Sequence, residues 1–243
     1  MEFKIFRIKE CTSTQDIAKE LAESGSVEGT VVVADRMTSG RGRLNRLWVA
    51  DEGGLWFTII LRPNFITNIQ LITLIAGLSV VRGIKKMYDV PLELKWPNDV
   101  LLQGKKICGI LTEASVTNNS INHLLLGVGI NVNNELYRDL KFVATSLKNY
   151  LGFEVPINEL LTTILKEFEE LYRELQSGNV GKIINEWKKY NTTIGKYVKV
   201  YVDSGVVEGI AVDIDFDGSL VVKVDGNITK IYSGDVIHLR IDD

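Results

Sequence analysis

The chain has 243 residues, of which 45% are hydrophobic and 24% are charged. This composition is ordinary for a globular protein, excludes a disordered or collagen-like chain, and leaves room for one large domain and one small domain. The formal net charge of −3 argues against a dedicated nucleic-acid binder, because such proteins usually carry a basic excess.

Cysteine and histidine are too sparse to suggest a metal site. Cys11 and Cys108 are not in a CxxC pair, and His123 and His238 are far apart in the sequence, so the set fits a reducing cytosol. The N-terminus lacks the apolar core of a signal peptide, and the longest apolar stretch, residues 71–81, is about half of the ~20 residues that a membrane span needs. We therefore expect a cytoplasmic protein that binds neither membrane nor nucleic acid.

The first two thirds of the chain predict strands interspersed with helices. Strands are predicted at residues 3–8, 30–34, 55–61, 92–96, 100–102, 106–113 and 124–132, with helices at 12–24 and 69–87. Two capping arrangements are open for the first helix, Thr12 with Gln15 or Ser13 with Asp16. Residues 36–54 predict a polar loop of about 19 residues, and a loop of that length in a compact domain is more often functional than idle.

The last third changes from helical to strand patterns. Amphipathic helices are predicted at residues 157–176 and 180–190. After Gly195 the sequence predicts short strands at 198–202, 206–213, 219–224, 228–232 and 236–241. The dipeptides Asp217-Gly218 and Asp225-Gly226 favour hairpin turns. About 48 residues with this pattern predict a small β-barrel.

The segment GRGRLNRLW, residues 40–48, concentrates positive charge. Arg41, Arg43 and Arg46 fall within six positions, interleaved with glycines that permit close backbone approach to a ligand. Because three adjacent cations repel one another, the segment suggests a loop that orders around an anion, although a solvated basic loop is also compatible with it. Trp48 could stack on a ring. The segment matches neither a Walker A loop nor a Rossmann fingerprint.

Two further segments are candidates for a site. KWPND, residues 95–99, places Lys95 at the end of an apolar strand, where it either reaches into a site or lies on an exposed edge; Asn98 and Asp99 are also common turn residues. GVGIN, residues 127–131, carries glycines inside a strand, which indicates either close approach of a ligand or a bulge.

Taken in order, these motifs resemble the biotin protein ligase family over nearly the whole chain. The matching segments are GRGRLNR with Trp48, KWPND, KKICGILTE at residues 105–113 and GVGINVN at 127–133, and Ser13-Thr14-Gln15 falls where the family has a Ser/Thr-Thr-Asn cluster. The resemblance implies an α+β fold: a mixed sheet with helices like that of class II aminoacyl-tRNA synthetases, plus a small C-terminal SH3-like β-barrel. We expect a catalytic biotin- and ATP-binding domain at residues 1–193 and the C-terminal domain at 194–243.

The resemblance also implies an activity. Such a ligase forms biotinyl-5'-AMP from biotin and ATP, with Mg²⁺, and transfers biotin to a lysine of a biotin carboxyl carrier protein or domain. The family often forms homodimers through the catalytic sheet. Some members carry an N-terminal DNA-binding module that represses biotin operons; because the first strand here is predicted to begin at Phe3, we expect a ligase without repressor function.

Residue roles are carried over by position. Arg43 and Lys95 are the expected catalytic cations. The expected biotin-binding residues are Ser13, Thr14, Gln15, Met37, Gly40, Arg41, Gly42, Arg43, Lys95, Gly109, Gly127 and Gly129. The expected nucleotide-binding residues are Arg41, Arg43, Arg46, Trp48, Asn98 and Asn131, the last of these with Mg²⁺ nearby, and no residue is predicted as a direct metal ligand.

One position departs from the family pattern. Three residues before Gly40 the family usually has a glutamine that contacts the biotin ureido group, and here Met37 stands in its place. A ligase for lipoate or another acid that forms an acyl-adenylate is therefore an alternative. A non-catalytic binding module on a synthetase-like fold is another, although such a module need not retain both Arg43 and Lys95.

Overall fold

The computed structural model describes residues 1–63, 69–118, 120–202 and 205–238. A mixed eight-stranded sheet forms its larger part, in the order β1-β2-β4-β8-β7-β6-β5 with β3 paired to β2. Strands β1 and β2 pair in parallel, and the other pairs are antiparallel. The strands are β1 Lys4–Cys11, β2 Thr30–Arg41, β3 Leu47–Ala50, β4 Leu55–Leu61, β5 Leu92–Lys95, β6 Asp99–Leu102, β7 Lys105–Thr117 and β8 Ser120–Ile130.

Helices cover both faces of this sheet. They are α1 Thr14–Glu23, α2 Ile69–Met87, α3 Leu147–Leu151, α4 Ile157–Gln176 and α5 Val180–Lys188. Helix α2 is buried along most of its length and belongs to the main core, and α4 packs against it where Gly83 leaves room for the backbone of Ile164. On the opposite face, Ala18 and Ala22 of α1 pack on Val32, Ile60 and Leu125. No described helix is long and apolar enough to cross a membrane.

The prediction of a polar loop at residues 36–54 is wrong for about half of these residues, which belong to strands β2 and β3. Strand β2 continues to Arg41 and forms a hairpin with β3, in which Gly40 pairs with Trp48 and Arg41 with Leu47. A Cβ on Gly40 would lie 2.4 Å from the carbonyl oxygen of Trp48, so the hairpin needs glycine there. The end of β2, residues 36–41, carries mostly polar side chains and lacks the apolar pattern of a strand, and β3 is apolar but only four residues long.

Of the two capping arrangements predicted for α1, the one that begins at Ser13 is partly formed. Ser13 is the N-cap, and its hydroxyl accepts a hydrogen bond from the backbone N–H of Gln15 at 3.3 Å. Neither capping box closes, because the Gln15 amide turns toward β7 and the Asp16 carboxylate binds Arg41. Ser13, Thr14 and Gln15 at this helix terminus line a cavity that is described below.

The C-terminal part is a separate antiparallel five-stranded sheet, in the order β12-β11-β10-β9-β13. Its strands are β9 Tyr197–Val202, β10 Gly205–Ile214, β11 Leu220–Val224, β12 Asn227–Ile231 and β13 Asp235–His238. The turn at Asp225 and Gly226 has two positive φ angles, 48° and 87°, as the hairpin prediction requires. The last residues of the predicted strand 236–241 lie outside the described residues. Trp96 joins the two sheets, because its buried indole N–H donates to the carbonyl of Gly218 at 3.0 Å.

Candidate active site

A cavity of about 700 Å³ lies where the N-terminus of α1 and the β2–β3 hairpin meet the central strands β7 and β8. Most of the residues predicted for the site line it: Ser13, Thr14, Gln15, Met37, Arg41, Gly42, Arg43, Arg46, Trp48, Lys95, Asn98, Gly109, Gly127, Gly129 and Asn131. Gly40 is not among the lining residues, and its close contact with Trp48 gives it a role in the hairpin instead. Segments far apart in sequence thus converge on one cavity.

One end of the cavity is lined by three polar, uncharged side chains. Ser13, Thr14 and Gln15 are each less than 5% exposed. The Thr58 hydroxyl donates to the Thr14 hydroxyl at 2.9 Å, and the Gln15 Nε2 donates to the carbonyl of Leu111 at 3.3 Å. Capping α1 and lining the cavity are therefore compatible roles for this cluster.

The Gln15 side chain has unused hydrogen-bonding capacity. Its Oε1 is buried and has no hydrogen-bond partner among the described residues. A buried acceptor without a partner costs about 1–3 kcal/mol, which a ligand donor would recover. Its amide also contacts the position where a Cβ of Gly127 would lie, at 3.1 Å, so glycine at 127 leaves space for this side chain.

Met37 occupies the same end of the cavity. Its sulfur accepts from the backbone N–H of Thr14 at 3.3 Å and lies 3.6 Å from the Thr14 hydroxyl. A thioether is a weak acceptor and no donor. Gln15 is therefore the side-chain amide that faces the ligand space at this end, within the described residues.

The indole of Trp48 lies against the glycine strands. A Cβ on Gly109 would lie 2.9 Å from the Trp48 ring, and a Cβ on Gly129 would lie 2.7 Å from its Nε1. That Nε1 is buried and lacks a hydrogen-bond partner among the described residues. The two glycines therefore make room for a flat aromatic surface that carries an unused donor.

Four charged groups gather at the other end of the cavity. Lys106 forms an ion pair with Asp99 at 2.6 Å, and its ammonium lies 5.3 Å from the centre of the Trp48 ring. Burial lowers the pKa of Lys95, while the neighbouring Asp99 carboxylate opposes that shift. Burial likewise lowers the pKa of Arg43. Two desolvated cations without a direct ion-pair partner among the described residues form a place for an anion.

The two other arginines of the segment have carboxylate partners. Arg41 binds Asp16 through two hydrogen bonds of 3.0 and 2.7 Å, an arrangement that lowers the pKa of Asp16. Arg46 forms an ion pair with Asp235 of the C-terminal sheet. Arg43 is thus the arginine of this segment that is half-buried and not paired with a carboxylate in the described structure.

Two asparagines of the cavity wall also form hydrogen bonds to neighbouring residues. Asn98 donates from Nδ2 to the carbonyl of Ile110 at 2.8 Å and accepts at 3.5 Å from Arg43. The buried Asn131 accepts on Oδ1 from Asn134 at 3.1 Å. The turn role proposed for Asn98 is therefore present together with a position in the cavity wall.

The described residues contain no group of three or more His, Cys, Asp or Glu side chains that could hold a metal ion.

The rim of the cavity carries apolar side chains that are exposed to solvent. Tyr137, Phe142 and Val143 line the cavity and are 60%, 83% and 64% exposed. Large apolar side chains at the edge of a cavity suit a flat ring better than a hydrated ion.

Comparison with known proteins bears on what such a cavity binds. Residues 8–131 match the model of the biotin/lipoate A/B protein ligase family, and residues 193–239 match the biotin protein ligase C-terminal domain. The bifunctional ligase/repressor BirA of Bacillus subtilis is 38% identical over 93% of this chain and 71% of its own length. The chain belongs to the biotin protein ligase family. The biotin--[acetyl-CoA-carboxylase] ligase of Mycobacterium tuberculosis is 32% identical, over 94% of this chain and 86% of its own.

Solved structures of this family share the fold. A structure of biotin protein ligase from Aquifex aeolicus in complex with biotin and ATP superposes with a TM-score of 0.86 at 33% identity, covering 98% of this chain and 99% of that one. The mixed sheet and the separate antiparallel C-terminal sheet are therefore the architecture of a biotin protein ligase.

Several cavity residues were not predicted from the sequence. Lys106 was part of a matching motif but was assigned no role, since adjacent Lys105 and Lys106 point to opposite faces of β7 and the sequence does not say which face is inside. Asp99 was attributed to a turn. Asp235 reaches the cavity from the second sheet, and no local pattern predicts such a contact. The apolar residues between 136 and 143 were a detectable signal, because they follow the GVGINVN motif outside any predicted element.

Proposed function

We propose that this protein is an ATP-dependent ligase that forms biotinyl-5'-AMP and transfers biotin to a lysine of a biotin carboxyl carrier protein or domain. One observation carries the proposal: a single cavity joins an end with neutral hydrogen-bonding groups to an end with two half-buried cations that have no ion-pair partner among the described residues. Biotin has a neutral ureido ring and a carboxylate, so its two ends match the two ends of the cavity.

Recognition of the ring rests on the neutral end. The free Oε1 of Gln15 can accept from a ureido N–H, and the hydroxyls of Ser13 and Thr14 can bond the ureido group. Trp48 offers its face to the bicyclic ring and its indole N–H as a donor. Because Met37 cannot donate a hydrogen bond, the amide function at this end falls to Gln15.

Formation of the adenylate rests on the cationic end. A carboxylate oxygen of biotin attacks the α-phosphorus of ATP, the bond to the bridging oxygen breaks, and pyrophosphate leaves. Arg43, Lys95 and Lys106 lie around this point and offset the negative charge that concentrates on the phosphate. Loss of one such donor typically costs roughly 3–4 kcal/mol of barrier.

Nucleotide binding uses the rim of the cavity. Arg46, Asn98 and Asn131 face the space next to the cations, and Tyr137 and Phe142 offer apolar contact to a purine. Arg41 and the backbone of Gly42 lie beside the adenylate. Mg²⁺ bound to the ATP phosphates would offset their charge; it would be held mainly by substrate oxygens and water, with Asn131 as the protein group assigned to it.

Further features of the family belong to the same proposal. We infer that the mixed sheet is related to class II aminoacyl-tRNA synthetases, that the second sheet is an SH3-like barrel, and that the domain boundary falls between residues 193 and 194. A homodimer formed through the catalytic sheet is supported by the edge strand β1, on which Ile5 and Phe6 are 43% and 36% exposed. We place the protein in the cytoplasm.

Biotin-dependent exchange of pyrophosphate into ATP tests the proposal. Exchange is expected with biotin, and purified carrier domain should then receive biotin on a lysine, as detected by mass spectrometry. Lipoate is the matched control, since it has a carboxylate on an apolar chain but no ureido group. Exchange with lipoate and none with biotin would contradict the proposal.

A further inference from the structure

A second cavity of about 380 Å³ lies beside the candidate active site. The two cavities share four wall residues: Arg43, Asn98, Ile110 and Leu111. The rest of its wall comes from the β2–β3 hairpin, the start of α2, β7 and the C-terminal part, and includes Leu44, Ile69, Thr73, Thr112, Tyr232 and Ser233. None of these six residues lines the first cavity.

Arg43 separates the two spaces. One guanidinium nitrogen lies 3.5 Å from Oδ1 of Asn98, and another donates to the Ser233 hydroxyl at 3.2 Å. The side chain therefore spans from the KWPND turn to the C-terminal sheet. A group that enters the second cavity meets Arg43, which on the other side faces the place where the acyl phosphate forms.

The wall chemistry limits what this second cavity can hold. Leu44, Ile69 and the two shared aliphatic residues give it apolar sides, and Arg43 is the one charged residue among its described lining residues. Pyrophosphate, with several negative charges, would need more cations than that. A chain of methylene groups that ends in a small polar head fits such a passage.

Two of the hydroxyls in this wall, on α2 and on β7, lie next to each other. The Oγ1 atoms of Thr73 on α2 and Thr112 on β7 are 2.9 Å apart, and one of them donates to the other. Each oxygen keeps a further lone pair that can accept from an amine N–H. The lining contains no carboxylate among the described residues, and the cation Arg43 is close, so the cavity favours a neutral amine over an ammonium ion.

We propose that this second cavity is the passage through which the acceptor lysine reaches the acyl-adenylate, with Thr73 and Thr112 as its amine-binding hydroxyls. The inference rests on the ligase function proposed above. In the step that follows, the amine lone pair attacks the carbonyl carbon and forms the amide C–N bond. The C–O bond to the phosphate breaks, AMP leaves with the electron pair, and the extra proton on nitrogen passes to water.

Two variants at Thr112 test the passage. Thr112→Val removes the hydroxyl at constant shape, and Thr112→Leu also narrows the cavity. Adenylate formation is followed by biotin-dependent pyrophosphate exchange, and transfer by single-turnover reaction of enzyme-bound biotinyl-adenylate with carrier domain. Thr229→Val is the matched control, because Thr229 is a half-buried strand threonine that lines neither cavity.

We expect Thr112→Val to lower kcat/KM for carrier transfer by roughly five- to tenfold, the size of one lost hydrogen bond, and Thr112→Leu to lower it further. Exchange should stay within about twofold for both variants and for the control. An equal loss of exchange and transfer would assign the cavity to ATP or pyrophosphate and overturn the inference, and so would unchanged transfer in both variants. Absence of biotin-dependent exchange in the unsubstituted protein would instead contradict the proposed function, and the inference with it.

Discussion

Replacing Gln15 by methionine separates stability from biotin binding, because the two should respond in opposite directions. The substitution removes a buried acceptor that has no partner among the described residues, which should stabilise the protein by about 1–3 kcal/mol. It also removes one hydrogen bond to the carbonyl of Leu111, which should destabilise the protein by about 1 kcal/mol. The free energy of unfolding without ligand should therefore stay within about 1 kcal/mol of its starting value or rise. Biotin should bind more weakly by about 1–3 kcal/mol, because its ureido N–H loses its acceptor.

That loss corresponds to a rise of roughly 5- to 150-fold in the KM for biotin. The KM is measured by pyrophosphate exchange at saturating ATP, and stability is measured by denaturant unfolding without ligand. Gln176→Met, at the exposed end of α4, is the matched control and should change neither. An unchanged KM for biotin in Gln15→Met would refute the assignment of the Gln15 amide to the ureido group. A drop in stability of about 2 kcal/mol or more would show that its Oε1 is not an unpaired acceptor.

Four other substitutions test the cationic end and the aromatic wall. Lys95→Ala should slow exchange by roughly 10²- to 10³-fold with an unchanged circular dichroism spectrum. Because burial lowers the Lys95 pKa below 10.5, activity should fall as pH rises through that lowered value, and Lys95→Arg, which stays charged, should move this alkaline limb upward in a pH–rate profile. Arg43→Gly should speed release of the adenylate, measured by filtration of the labelled complex. Gly129→Ala should push Trp48 away, lower the free energy of unfolding by about 1–3 kcal/mol and raise the KM for biotin.

Elements with strong hydrophobic patterns were predicted within a residue or two. Helices α2 and α4 begin and end at the predicted residues. They were predictable because apolar residues at helical spacing over about 20 residues indicate a helix and not a strand. The β4 strand was equally clear, as a short run of buried residues. The β2–β3 hairpin was missed because the end of β2 carries mostly polar side chains and β3 has only four residues, so neither leaves a clear periodic signal.

The candidate site was predictable as a set of residues but not as a geometry. Of the residues that the ordered motifs predicted for the site, all except Gly40 line the cavity. Nothing in the sequence could say that Trp48 packs on Gly109 and Gly129, that Lys106 pairs with Asp99, or that Asp235 reaches over from the second sheet. These contacts depend on strand register and on the docking of the two sheets, which are tertiary properties.

A structure of the protein after soaking with biotin and ATP tests the central claim most directly. Our account predicts a biotinyl-adenylate in the cavity, with a ureido N–H within hydrogen-bond distance of Oε1 of Gln15 and the phosphate beside Arg43, Lys95 and Lys106. A ligand with its ring at the cationic end, or a cavity that binds ATP with no biotin at the Gln15 end, would contradict it.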